Sequence, residues 1–512
     1  MNGAQSVVQT LLTGGVELCL ANPGTSEMHF VAALDQTEGM RCVLGLHETV
    51  VTGMADGYYR IAGKPACTLL HCGPGLANGM ANLHNARRAR SGIVNIVGDQ
   101  ATYHRPYDAP LTADTEAMAR AVSHWVRTST NAANAGRDAA AALQAAASLQ
   151  GQVATLILPS DVSWNEGGQV VQSDELPYTP SIDSLAVEQA ARILRGRGKV
   201  LILLAGNGLS QASQEHAWRI STTTRATLMA DYVVGRVSRG AGRLQLERVP
   251  YNTDAAIEAL KDFDHIILVN AKPPVGFFAY PDKPSTQYAS HTQFHVLSRC
   301  DQDAEKAMSM LADELGAPPV AIPNAGARPL AAAGVPTPDG LAQTVAALMP
   351  EHAIISDESL SFGRSFYPHT HAAPRHDWLH LAGGAIGDGM PVATGAALAG
   401  GGRRVINLQA DGSAMYSLQS LWTQARERLP VTTIILNNRK YNILIGEYKG
   451  VGAVPGPTAM SMLDLSDPQL DWVKLAEGMG VEAAQAHTLE ECAALMARSF
   501  TQPAPFLIDL LI

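Results

Sequence analysis

Three times along this 512-residue chain, short apolar runs ending in Gly, Pro or Asn turns alternate with helix-like stretches. Strands that alternate with helices cannot pair by hairpins, so the pattern predicts parallel sheets covered by helices on both faces. The first block contains "VELCLANPG", "CVLGLHETVVTGMADGYYRIAG", "ACTLLHCGPG", "GIVNIVGD" and "QVATLILP". A polar, Pro-bearing segment, "SDVSWNEGGQVVQSDELPYTPSIDS", reads as a linker. The second block holds "KVLILLAGNG", "ATLMADYVVG" and "HIILVNAKPP", and closes in a Pro/Ala/Gly connection over 316–340. The third holds "HAIISDES", "GGAIGDGMPVATGAALAG", "RVINLQADG", "PVTTIILNN" and "APFLIDLLI". The expected fold class is α/β, with three doubly wound parallel-sheet domains over 1–165, 182–318 and 336–512.

Composition narrows the chemistry. Hydrophobic residues make up 46% and charged residues 16%, which suits a large enzyme with much buried surface. The net charge of −10 comes without a basic or acidic block, so neither nucleic acid nor an anionic membrane is an expected partner. The six cysteines form no CxxC pair, which argues against a zinc or disulfide framework. The N-terminal stretch lacks a basic, then apolar, leader pattern, and the expected location is the cytoplasm.

Two segments carry chemistry. In "RRVINLQADGSAMYSLQSLWTQARERLPVTTIILNN" one β-branched run ends at Asp411-Gly412 and the next at Asn437-Asn438. A right-handed βαβ unit brings both strand ends to one sheet edge, so Asp411 and Asn438 can converge there. Their side-chain oxygens suit a hard cation of the Mg²⁺ type, and Gly412 and Ser413 at a helix start suit a phosphate. Two ordinary turns would read the same way. The other segment is "LGLHETVV", which sets the carboxyl of Glu48 in an apolar run, where an unpartnered charge is costly.

With Ala410 ahead of Asp411-Gly412 and Asn-Asn about 25 residues on, the chain resembles the thiamin-diphosphate 2-oxo acid decarboxylase and acetohydroxyacid synthase superfamily. "NPGTSEMHF", "LHETVVTGMADGYYRIAGKPA", "HCGPGLANGMANLHNARRARSGIVNIVGD" and "GDGMPVATGAALA" follow the same order. The pattern is nearest to acetolactate-synthase-like large subunits and benzoylformate decarboxylase. The resemblance implies a pyrimidine-binding first domain, a central Rossmann-like domain and a diphosphate-binding third domain. It implies that Glu48 exchanges a proton with the cofactor's aminopyrimidine. His47 is expected to be only a polar neighbour. Ile386 would support the bent cofactor and the Gly384 carbonyl would accept from its amino group. Pro23 and Asn78 match positions on the pyrimidine side, and Ser361, Gly412 and Ser413 match the diphosphate side. Mg²⁺ would be held by Asp411, Asn438 and the carbonyl of Lys440. Each site would be completed across a subunit interface, so a homo-oligomer is implied, at least a dimer and commonly a tetramer.

The reaction implied is decarboxylation of a small 2-oxo acid, with the acyl carbanion passed to a carbonyl acceptor. The alternative is a simple decarboxylase that releases an aldehyde. "GPG" matches the acetolactate synthases, whereas His71 and Thr25 match catalytic and substrate positions of benzoylformate decarboxylase. A second histidine of that enzyme is replaced by Ala279. Glu447 stands where acetohydroxyacid synthases carry tryptophan, so Ile443, Leu444 and Glu447 are expected to set substrate choice. "AGNGLSQ" has too few glycines for a dinucleotide loop and reads as a Rossmann-like turn without a ligand. Some relatives hold FAD in this domain, and the sequence leaves that open here.

Overall fold

A computed structural model of the chain describes residues 1–148, 150–172 and 179–512. The described residues form three sheets. The first runs Arg41–Leu44, Leu18–Asn22, Ala66–Leu70, Ile93–Asp99, Val153–Pro159, Trp125–Thr128 in spatial order, with every pairing parallel. Neighbouring residues on its central strands enter opposite cores: Leu69, Ile96 and Leu156 pack on one face, Leu70, Val97 and Ile157 on the other. Burial on both faces explains why these strands read as continuous apolar runs rather than alternating ones.

The middle sheet is also parallel, in the order Glu247–Arg248, Thr227–Ala230, Val200–Leu204, His265–Val269, Gln293–Ser298. The third runs Glu482–Ala486, Phe506–Leu511, Val431–Asn437, Val405–Ala410, Ile354–Glu358, His376–His380, Arg236–Arg239. Its last strand departs from the expected pattern. Arg236–Arg239 comes from the middle stretch of sequence and pairs antiparallel with His376–His380. The pairing is reinforced by Arg236 and Arg403, which both reach the carboxylate of Asp377.

The linker expected over 160–184 begins differently. Ser160–Trp164 forms a short helix, because Ser160 Oγ donates to the Asp99 carbonyl and Asp161 accepts from the Thr102 amide. Residues 173–178 of that segment lie outside the described residues. Among the described residues, no helix is long and apolar enough to cross a membrane.

The first and third sheets are joined by a close helix crossing. Glu48–Ala62 lies on Gly389–Ala399, and three glycines let the backbones meet. A Cβ at Gly395 would run into the Met54 carbonyl oxygen, one at Gly57 into that of Val392, and one at Gly53 would stand 2.5 Å from Pro391 Cβ. Beside the crossing, the buried Arg60 guanidinium is held by Asp56 on its own helix and donates to the His380 carbonyl at 2.7 Å. Gly395→Ala should therefore cost about 1–3 kcal/mol, as overpacking does. Gly478→Ala, in open space at a helix end, should be neutral or slightly stabilising. Denaturant midpoints check both, and equal midpoints for Gly395→Ala and the parent chain would refute the reading.

Candidate active site

Parallel neighbours Ile354–Glu358, Val405–Ala410 and Val431–Asn437 end on one edge of the third sheet, where the chain opens a cavity of about 720 Å³. Ser361, Gly384, Ile386, Asp411, Gly412, Ser413, Asn438, Lys440, Ile443, Leu444 and Glu447 all line it, so every expected residue of the third block is brought together. The donor set suits a hard cation: a carboxylate from Asp411, an amide oxygen from Asn438 and backbone oxygen at Lys440. Asp411 accepts from the amides of Gly412 at 2.8 Å and Arg439 at 2.6 Å. Burial pushes its carboxyl up to about 6, against those hydrogen bonds. Gly412 lies directly against the Tyr441 ring, 2.5 Å from where a Cβ would stand. Ser413 Oγ is engaged by Gln409 and by the Ala410 carbonyl.

The loop bearing Gly384 and Ile386 is clamped from two sides. Asn85 accepts from the Ala385 amide at 3.1 Å and donates to its carbonyl at 2.8 Å, while His84 Nε2 lies 3.1 Å from the Gly383 carbonyl. From beneath, Glu358 accepts from the amides of Gly387 and Gly389 at 2.7 and 2.8 Å and from Gln409 at 2.9 Å. Burial raises the Glu358 carboxyl despite these donors. Sequence reasoning missed both Asn85 and Glu358. "SDES" and "NLHNARR" offered only polar residues in apolar surroundings as a signal.

The other wall of the cavity comes from the middle stretch. Tyr232, Tyr251 and Phe277 form a ring cluster, with Phe278 packed edge-on to Phe277. Phe277 stands over Gly384, its ring tip 2.5 Å from where a Cβ would be. Arg248 lies 4.5 Å from the Tyr367 ring centre and 2.8 Å from His380 Nδ1. Burial, then Arg248, holds His380 well below the ordinary histidine range, so it is neutral. Ala279 is exposed and does not line the cavity; Phe277 and Phe278 face it from that loop. Glu447 accepts from Tyr280 Oη at 2.8 Å and from Tyr251 Oη at 3.4 Å, which ties Asn442–Gly450 to the middle stretch.

Pro23, Thr25, Glu48, His71 and Asn78 form a separate cluster at the carboxyl edge of the first sheet and do not line that cavity within one chain. Glu48 is 7% exposed and accepts from Asn78 Nδ2 at 3.0 Å, so the carboxyl is buried but partnered. A Cβ at Gly75 would sit 3.0 Å from Glu48 Oε1 and 3.3 Å from His71 Cβ, so "GPG", which forms the first turn of the helix Cys72–Ala89, passes between the two. His47 caps the helix Glu48–Ala62 by accepting from the Thr49 amide at 3.1 Å. The "NPG" turn lies on the His71 ring, and Thr25 opens a short 3₁₀ turn beside it. His71 Nδ1 is 2.9 Å from Glu27 Oε2. That partner was present in "NPGTSE" but carried no spacing signal.

The N-terminal TPP-binding domain of thiamine pyrophosphate enzymes matches residues 1–122, and the C-terminal TPP-binding domain matches residues 363–510. The chain is 47% identical over 515 residues to Mycobacterium tuberculosis IlvX, which carries the provisional name of an acetolactate synthase large subunit; the match covers 100% of this chain and 99% of that one. It is 29% identical to benzoylformate decarboxylase of Pseudomonas aeruginosa, over 97% and 96% of the two chains. Among solved structures, the thiamine diphosphate-dependent 4-hydroxybenzoylformate decarboxylase of Rhodococcus jostii RHA1 superposes with a TM-score of 0.86 at 24% identity, over 99% of this chain and 98% of that one, a likeness of fold. The chain therefore belongs to the thiamine pyrophosphate enzymes, of the acetolactate synthase and benzoylformate decarboxylase type.

Proposed function

We propose that this protein is a thiamin-diphosphate- and Mg²⁺-dependent enzyme that decarboxylates a small 2-oxo acid and passes the acyl carbanion to a carbonyl acceptor. The observation that carries the reading is the pair of half-sites: a buried Glu48 held by Asn78, and a cavity lined by Asp411, Asn438, Lys440, Gly384 and Ile386. Thiamin diphosphate, when bound, supplies a nucleophilic carbon and an electron sink for the bond to CO₂. Asp411, Asn438 and the Lys440 carbonyl would hold the ion, and Gly384 and Ile386 would position the pyrimidine. Glu48 would hold a proton at the pyrimidine N1′. Because Glu48 does not line the cavity of its own chain, the two half-sites would meet in a homodimer, or in a tetramer built of such dimers. The aromatic wall from Tyr251 to Phe278 would keep water from the reacting carbon. FAD has no part in this reading.

A second reading, release of an aldehyde, is favoured by one observation. His71 is paired with Glu27 at the strand end, an arrangement suited to delivering a proton where a carboligase would instead present an acceptor. Incubation with pyruvate and with benzoylformate separates the two. Acetolactate or another ligated product supports carboligation, and free aldehyde alone would sink it.

Glu48→Gln should slow exchange of the cofactor's C2 proton by at least about 100-fold, the scale of a lost general acid–base group. Unchanged exchange would refute the role. Since the Asp411 proton competes with the ion around pH 6, Mg²⁺ affinity should be level above that pH and weaken about tenfold per unit below it. Equilibrium dialysis with thiamin diphosphate present measures this, and a flat profile down to about pH 5 would overturn Asp411 as ligand.

A further inference from the structure

Beside the first half-site lies a side-chain cluster that the proposed reaction does not use in full. Glu27, His71 and Cys72 each present one ligand atom, and the three atoms lie within 4.8 Å of one another. The closest pair is His71 Nδ1 and Glu27 Oε2 at 2.9 Å, while Cys72 Sγ stands 3.9 Å from Glu27 Oε1. Ser26 Oγ sits among them, 2.9 Å from Cys72 Sγ and 3.3 Å from His71 Nδ1. Proton handling by His71 needs a carboxylate partner; it does not need a buried thiol pointed at the same spot.

We propose that Glu27, His71 and Cys72 form a binding site for a borderline-soft divalent metal ion of the Zn²⁺ class, separate from the Asp411 and Asn438 site. Around tetrahedral zinc, with bonds of about 2.0–2.3 Å, neighbouring ligand atoms stand roughly 3.2–3.7 Å apart. The separations here bracket that range, so an ion needs only small side-chain shifts to be seated. The ligands are also held in advance. Glu27 accepts from the Gly24 amide at 2.8 Å and is wedged against Gly98, where a Cβ would strike its carboxylate. His71 follows the strand Ala66–Leu70 and caps the next helix under the "NPG" turn, and Cys72, at φ 51, opens that helix, Cys72–Ala89. Two segments, the 3₁₀ turn Thr25–Glu27 and the strand-to-helix junction, thus deliver a carboxylate, an imidazole and a thiol to one point, with the Ser26 hydroxyl as a fourth donor.

Ligand softness sets the selectivity. A thiol with an imidazole favours Zn²⁺, Co²⁺ or Cu over Mg²⁺, whose preference is for oxygen. Zinc displaces a thiol proton on binding, whereas a hard ion polarises sulfur too weakly to do so. The His71 side chain is 24% exposed, which leaves a path for the ion. With its Nδ1 on the metal, His71 no longer exchanges protons with Glu27, so the ion acts as a reversible inhibitor; this consequence alone rests on the catalytic role proposed for His71.

The test uses the full-length protein saturated with thiamin diphosphate and Mg²⁺, titrated with Co²⁺. One equivalent should produce a near-ultraviolet thiolate-to-cobalt charge-transfer band. Cobalt at the Asp411 site has only oxygen ligands and gives no such band. Cys72→Ser should abolish it and weaken Zn²⁺ binding by more than about 100-fold, beyond what loss of an outer partner costs. Cys42→Ser and Cys300→Ser should keep the band. Glu27→Gln, of the same shape, should weaken binding without removing the band, and so reports on the site even if Cys72→Ser folds poorly. No band in the parent protein, a band surviving in Cys72→Ser, or unchanged affinity in Glu27→Gln would each overturn the proposal. A cobalt band with undiminished turnover would uphold the metal site and overturn the role of His71.

Discussion

Everything about the site depends on how closely Glu48–Ala62 can lie on Gly389–Ala399. Two helices with ordinary side chains at the contact stand about 8–10 Å apart. Here Gly53, Gly57 and Gly395 remove that spacing, so backbone meets backbone across the boundary between the first and third sheets. The crossing starts where Glu48 enters its helix and where the Gly384–Ile386 loop enters the other. One contact therefore orients a proton-handling carboxyl and a cofactor-supporting loop together. Arg60, Asp56 and Asp388, all buried, lock the angle with charge where the glycines have removed side-chain bulk.

The loop itself shows why buried polar groups cluster here. Its backbone is irregular and half-buried, and the amides and carbonyls it turns inward need partners. Glu358 from the third sheet and Asn85 from the helix Cys72–Ala89 supply them from opposite sides. The charge on Glu358 is costly in isolation, yet two amides and the Gln409 side chain aim at it. A loop satisfied at once by a strand of the third sheet and a helix of the first block keeps Ile386 fixed only while both are in place.

How far this was readable from sequence depends on the range of each interaction. Asp411 and Asn438 were legible because each ends an apolar run, and parallel topology then sends both to one edge. Glu48 was legible as an anomaly, a carboxyl in an apolar run, although its partner Asn78 lies 30 residues on and could be matched only by resemblance. Glu358 and Asn85 were not legible, since their partners are loop amides far away in the chain. Trp125–Thr128 escaped notice as a half-buried edge strand of four residues, and Arg236–Arg239 because two arginines in four positions do not look like sheet. Glu447 was expected to touch substrate. Glu447 does line the cavity, and two tyrosines also hold its carboxylate, so it shapes the cavity both directly and through the tether of Asn442–Gly450.

The antiparallel strand Arg236–Arg239 bears on modularity. A parallel α/β domain is usually a self-contained piece that can be shuffled between proteins or excised. In this chain the third sheet borrows its border from the middle stretch. A fragment cut at residue 336 would leave His376–His380 with a bare row of backbone donors and acceptors, an invitation to pair with a second chain. The three blocks of sequence are thus not three interchangeable parts: the middle one serves partly as a seal on the third.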